Sequence, residues 1–185
     1  MPEIDRWVIR TAFAQLQSNR LANPRRDNRS AIFINLSATS LSDDHLVAFI
    51  SEQLRQHGIP PGCITFEITE TAAIADFDCA TRLIKVLREH GCMVALDDFG
   101  TGMSSFSYLK SLDVDFVKID GGFVRSMLDD RMDHAIVEAI NNIGHIAGIQ
   151  TIAEFVENAS ILERLRSLGV DFAQGWAVDY PRPFG

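Results

Sequence analysis

The chain has 185 residues, 46% apolar and 23% charged, the composition of one globular domain, long enough to bury roughly 70% of its unfolded surface. Seventeen basic against 25 acidic side chains leave a net charge of −8, which argues against a nucleic-acid polymer or an anionic membrane surface as partner, although metal ions would reverse the sign locally and admit a phosphate ester. No apolar run approaches the roughly 20 residues that insert into a bilayer, and no signal peptide is evident.

Cys63, Cys79 and Cys92 lack the close spacing of a zinc or redox motif, and the five histidines form no metal-ligand pair. Idle thiols in a reducing cytoplasm are the expectation, with the parent protein free to be tethered to a membrane by other segments.

Ile4, Trp7, Val8, Ala12 and Leu16 recur at helical spacing, which predicts an amphipathic helix from Glu3 to about Ser18, broken by the polar stretch 19–30. Strands and helices then alternate: strand 31–37, helix 43–57, strand 64–70, helix 77–90, strand 93–98, short helix 104–111, strand 116–120, helix 130–147, strand 150–156, helix 158–168 and strand 172–177. Ser42 ahead of Asp43 and Asp44, and Asn158 ahead of the last helix, have the chemistry of N-caps; Gly58, Gly91, Gly148 and Gly169 close helices. There is no internal repeat and no interdomain linker.

Strand followed by helix, six times over, means parallel pairing with crossover helices. An open doubly wound sheet concentrates its site at one switch point, whereas a barrel gathers residues from many strand ends. Here nearly every strand ends in an acid or amide, which favours an α/β (β/α)8 TIM-like barrel. Six of its eight strands lie in this chain, within a single domain over residues 1–185. Along the strands Ala31, Phe33 and Asn35 alternate with Ile32, Ile34 and Leu36, and Thr65, Glu67 and Thr69 with Ile64, Phe66 and Ile68, so the inward face is expected to be partly polar.

Asp97 and Asp98 are the sharpest local signal. Consecutive strand side chains point to opposite faces, so both reach one site only where the chain leaves the strand, a freedom that Gly100 and Gly102 would give. Two such carboxylates repel unless cations lie between them; an Asx turn or helix cap is the alternative. Glu67 and Lys118 point inward and need partners, which a metal or a mutual ion pair would supply. Asn35 shares their face, and Glu154 ends an apolar strand. Oxygen donors from Asn, Asp and Glu suit Mg or Mn rather than Zn, and with such ions the chemistry is hydrolysis of a phosphate ester, Lys118 orienting water or stabilising the phosphoryl oxygens.

Six motifs in order, NLS, FEITET, LDDFGTGMSS, VKIDGGFV, TIAEFVEN and QGWAVDYPRP, together resemble the bacterial EAL domain family of cyclic di-GMP phosphodiesterases, over nearly the whole chain. The resemblance implies a barrel that cleaves cyclic di-GMP to linear pGpG with two Mg or Mn ions. It implies that Asn35 and Glu67 bind the first metal, that Asp97 bridges both, and that Asp98 and Glu154 bind the second. Lys118 would position the attacking water, Glu70 anchor the DDFGTG loop, Asp120 touch substrate, and Gln174 act through water. A homodimer is expected.

The chain departs from the family in lacking the Glu-Ala-Leu strand and its following arginine, and in stopping before the usual final helix. Glu138-Ala139-Ile140 is no substitute, since it falls within a predicted helix. Truncation of a phosphodiesterase domain is one explanation, with weak or no hydrolysis by these 185 residues alone. A degenerate, non-catalytic cyclic di-GMP receptor or protein-interaction module is the other. Because every visible metal position is retained and the defect is a single block, the enzyme reading is preferred.

Overall fold

The structure is a computed structural model that describes residues 2–22, 32–101 and 106–182. It divides into two compact units, one comprising Met1–Ile68 and Ala72–Val94, the other Thr69–Thr71 and Ala95–Arg182.

The first unit opens with helix α1 (Pro2–Ala22), which runs past the point where the polar stretch was expected to break it. Its buried face carries Ile9 and Phe13. The Asp5 carboxylate is also buried, and its cost is met by three donors: the Ser37 amide at 2.9 Å and the Ser37 and Ser40 hydroxyls at 2.6 Å each. Strand β1 (Ile32–Asn35) pairs in parallel with β2 (Ile64–Thr69), Ile32 opposite Ile64 and Asn35 opposite Glu67. Between them lies α2 (Leu46–His57). The expected Ser42 cap is not used. Asp43 instead spends its carboxylate on the His45 amide and on Arg6, so the helix begins at Leu46 without a side-chain cap. Gly58 closes it at φ 59°, as a left-handed terminus requires.

Two short helices were not expected from the sequence. Glu70, read as the end of a strand, instead begins α3 (Glu70–Ala75), and α4 (Phe77–Glu89) follows, capped by Asp76. In the second unit β3 (Met93–Phe99) leads to a 3₁₀ turn at Tyr108–Ser111. The start of the helix predicted at 104–111 falls at 104–105, outside the described residues. After β4 (Phe116–Ile119) comes the second unexpected helix, α5 (Gly121–Ser126), then α6 (Arg131–Ala147), β5 (Gln150–Ala153), α7 (Ala159–Leu168) and β6 (Phe172–Ala173). Asn158 caps α7 as expected, accepting from the Ile161 amide at 3.0 Å. The β5 and β6 strands are shorter than predicted, which leaves Glu154 and Gln174 just beyond them rather than within.

Strand order follows chain order, β1-β2-β3-β4-β5-β6. A doubly wound sheet would reverse order at a switch point, so this is the plan of a (β/α) barrel wall. In the second unit Val117, Ile119, Val124, Val137 and Ala153 are fully buried and form its core.

A polar network ties the N-terminal end of β5 to the helices. The Thr151 hydroxyl donates to Asn141 at 2.6 Å, and the Asn141 amide donates to the Leu168 carbonyl at 3.0 Å. Asp171 accepts from the Thr151 amide at 2.8 Å and lies 2.9 Å from the His145 ring.

Candidate functional site

The register between β3 and β4 contains the key to the site. Ala95 faces Phe116 and Leu96 faces Val117, but the next pair is Phe99 with Ile119. Three steps along β3 therefore match two along β4, so one extra residue is inserted and both Asp97 and Asp98 face the single residue Lys118. This is a β-bulge, rare between parallel strands and suited to re-aiming a side chain. The bend is taken by Asp98 itself, at φ 54°. The sequence had placed this freedom in Gly100 and Gly102. Gly100 does follow at φ 103°, and Gly102 lies outside the described residues. Aspartate tolerates the left-handed region better than most residues, which lets the kink fall on the functional residue.

The bulge gathers a charged cluster. Oxygens of Asp97, Asp98 and Glu154 lie within 4.8 Å of one another. The Lys118 ammonium stands 2.9 Å from Asp97 Oδ1 and 2.8 Å from Glu154 Oε1. Lys118 is 4% exposed, and Asp97 and Glu154 8% each. Glu154 arrives here because β4 and β5 run in register, and its amide still donates to the Ile119 carbonyl at 3.2 Å.

With all groups ionised, one positive charge faces three negative ones. Burial pushes the Glu154 carboxyl up; Lys118 opposes this, and Asp97 and Asp98 add to it. Burial also pushes Asp98 up, reinforced by Asp97 and Asp120 against the pull of Lys118. A single ammonium thus leaves the cluster short of positive charge. A compact set of oxygen donors with excess negative charge fits a hard divalent cation such as Mg or Mn, and offers nothing to a thiophilic ion.

Asp120 is half-buried and caps α5, its Oδ1 accepting from the Gly122 amide at 2.8 Å. Glu70 is fully buried; it accepts from the Gly100 amide at 2.9 Å and from the Tyr108 hydroxyl, so it links the end of β3 to the turn beyond. Tyr108 was not singled out in the sequence; the only signal for it was that a buried Glu70 requires donors. The Gln174 backbone holds β6 to the segment after β5, donating to Ala153 at 2.8 Å and accepting from Val156 at 3.0 Å, while its side chain is exposed. In the first unit Asn35 and Glu67 form a facing pair, Asn35 exposed and Glu67 4% exposed.

Phe155, next to Glu154, was also missed as a structural feature. It has φ 51° and is 53% exposed, a conformation that is an outlier for a bulky residue. Its ring lies where a Cβ at position 121 would stand, 2.2 Å from Phe155 Cδ2, so glycine is required at 121. The Arg125 guanidinium sits 5.0 Å from the ring centroid.

The sequence profile of the EAL domain matches residues 1–181. The chain is 44% identical over 183 residues to the cyclic di-GMP phosphodiesterase PdeB of Shewanella oneidensis, covering 99% of this chain and 21% of that protein. It is 36% identical to the cyclic di-GMP phosphodiesterase PdeF of Escherichia coli, covering 97% of this chain and 24% of that one. It therefore spans about a fifth to a quarter of these relatives. Among solved structures it is similar to the EAL domain of Mycobacterium smegmatis DcpA, at TM-score 0.89 and 35% identity over 97% of this chain and 80% of that one. The PaMucR phosphodiesterase in complex with c-di-GMP gives TM-score 0.91 and 34% identity over 98% and 72%. With a profile match across nearly its full length and these relatives, the chain belongs to the EAL domain family.

Proposed function

We propose that this EAL domain, a single domain over residues 1–185, is a cytoplasmic, homodimeric phosphodiesterase that hydrolyses cyclic di-GMP to linear pGpG with Mg or Mn. The observation that carries the reading is the bulge: it spends backbone strain to bring two consecutive carboxylates to the same lysine and to Glu154. A residue pair serving only the core would have no use for that arrangement.

Asp97, Asp98 and Glu154 would hold an ion, and in the first unit Asn35 and Glu67 would serve as metal ligands as well. Bound there, the ions would supply positive charge to the phosphoryl oxygens and ease ionisation of water. Lys118 holds Asp97 and Glu154 in place and would position the incoming water. Water oxygen joins phosphorus, the bond from phosphorus to the 3′ oxygen breaks, and that oxygen takes a proton, leaving a 5′ phosphate. Glu70 steadies the loop after Asp98, Asp120 faces the substrate from the start of α5, and Gln174 acts through water.

The test is chromatographic detection of pGpG when the chain is incubated with cyclic di-GMP and Mg or Mn. Conversion, however slow, that disappears in Asp97→Ala supports the reading. Saturable binding without conversion would replace it with a receptor.

A further inference from the structure

A cavity of about 300 Å³ lies in the second unit, lined by Met127, Leu128, Asp130, Arg131, His134 and Arg164. These residues come from the turn after α5, the first turn of α6 and the middle of α7. None of them is assigned to the carboxylate cluster. Within a protein of net charge −8, two arginines and a histidine converge on one concave surface. Among the described residues, the side chains of Arg131, His134 and Arg164 form no hydrogen bond or ion pair. Arginines on helices are commonly drawn to i±3 or i±4 acids, as Arg55 is to Glu52 here. Asp130 also lines the cavity, but its carboxylate is engaged by the Met132 and Asp133 amides at 2.7 and 3.4 Å. The α6 terminus is therefore already capped, and the side chains, rather than helix amides, are the free donors. Met127, 2% exposed, supplies an apolar floor beneath the exposed Arg131 and Arg164 and the half-buried His134.

We infer that this cavity binds a phosphate dianion, free or as a terminal monoester. Two guanidiniums present paired N–H donors that match phosphoryl oxygens, and a dianion balances both. The volume admits a phosphate with a small organic group, with Leu128 available to its apolar part. The shared chemistry has two sources: free inorganic phosphate, or the terminal 5′ phosphate of a linear nucleotide, a group that a cyclic dinucleotide lacks. The site stands at the far end of α5, whose first residue packs under Phe155 beside Glu154, so an occupant would bear on that short helix.

The experiment is isothermal titration of the 185-residue chain, kept metal-free with chelator so that the carboxylate cluster takes no part. Inorganic phosphate, 5′-GMP and pGpG are titrated separately, and cyclic di-GMP serves as the ligand without a monoester. Saturable binding of inorganic phosphate is expected, weakened ~10-fold or more in Arg131→Gln and again in Arg164→Gln, as befits loss of a charge-assisted contact. Equal affinity for phosphate and nucleotide names free phosphate as sufficient; tighter binding of 5′-GMP or pGpG names the nucleotide. The unliganded melting temperature of each variant, expected to match the wild type, shows that folding is intact. No saturable binding of inorganic phosphate, 5′-GMP or pGpG, or binding unchanged in both variants, overturns the inference. Because no metal and no turnover enter the measurement, its failure leaves the proposed hydrolysis untouched.

Discussion

The two ends of the β4–β5 pair handle polar groups in opposite ways. At the N-terminal end, Thr151, Asn141, Asp171 and His145 satisfy one another, and Asp171 is held below its ordinary value of 3.8: burial works against this, but the Thr151 amide and His145 outweigh it. At the C-terminal end, Asp98 and Glu154 are pushed the other way, the backbone carries left-handed kinks at Asp98 and Phe155, and one lysine serves three carboxylates. Chemistry belongs where polar groups are left wanting a ligand; stability belongs where they are matched. In barrels this division falls between the two ends of the strands.

The sharpest way to break the comparison is Asp98→Asn. Asparagine keeps the tolerance for φ 54° and removes a charge whose pKa is raised by burial and by Asp97. Conversion of cyclic di-GMP should fall about 100-fold or more. The metal-free protein should melt at a higher temperature than the wild type, and the upward shift given by Mn should vanish. A lower melting temperature without metal would show that the cluster is held together for stability after all.

Lys118→Met breaks the same end through its cation. Removing the ammonium leaves Asp97 and Glu154 buried without their cation, which costs about 3–5 kcal/mol and eliminates turnover. Mn should then stabilise the variant more than the wild type, because the ion replaces the lost charge. At the opposite end, Asn141→Ala strands the Leu168 carbonyl and leaves the Thr151 hydroxyl only its longer bond to Asp171 at 3.2 Å, and should cost about 1–2 kcal/mol in chemical denaturation, with turnover per folded molecule unchanged. If Asn141→Ala lowered turnover and Lys118→Met did not, the division between the ends would be wrong.

The strands were legible in the sequence because buried parallel strands read as continuous apolar runs with polar punctuation. Five of the six predicted strands start within a residue of their observed positions, and the sixth starts where predicted but is only two residues long. The short helices α3 and α5 were not legible. ETAAIA continues a strand pattern, and GGFVRS opens on two glycines that disfavour a helix; α5 forms because Asp120 caps it and Val124 is buried. That Asp97 and Asp98 share one site was legible as a requirement, but its means was not. A single inserted residue is a property of pairing between strands, which one strand's sequence does not contain. Likewise Lys118 plainly needed a partner, but its identity as Asp97 and Glu154 depends on register.

The two ends also titrate in opposite senses. Asp171, with a lowered pKa, contributes stability that is present above its unfolded value and lost as pH falls through its folded one. Asp98 and Glu154, with raised values, contribute stability present below their unfolded values and lost as pH rises through their folded ones. In metal-free protein, Asp171→Asn should therefore reduce the melting temperature at neutral pH, with the difference from wild type closing below about pH 4. Asp98→Asn should do the reverse, its advantage appearing only as pH rises. Excess Mn at neutral pH should abolish the second difference and leave the first.

The smallest effects are expected at Phe155, where several terms of about 1 kcal/mol oppose one another. Phe155→Gly relieves a left-handed bulky residue, worth roughly 1–2 kcal/mol. It also loosens the unfolded chain, by about 0.5–1 kcal/mol, and loses the Arg125 contact, worth a similar amount. The net change should be under about 1 kcal/mol. Gly121→Ala, by contrast, drives a methyl into the ring at Cδ2, Cγ and Cβ, at 2.2, 2.6 and 2.8 Å. The Cβ contact cannot be escaped by rotating the ring, so a cost of about 1–3 kcal/mol is expected. In the double variant the obstacle is gone, and most of that cost should be recovered, giving a coupling energy of opposite sign to the Gly121→Ala effect. Additive losses would mean that α5 and the kink after Glu154 are set independently, and that the strain at Phe155 is not what requires glycine at 121.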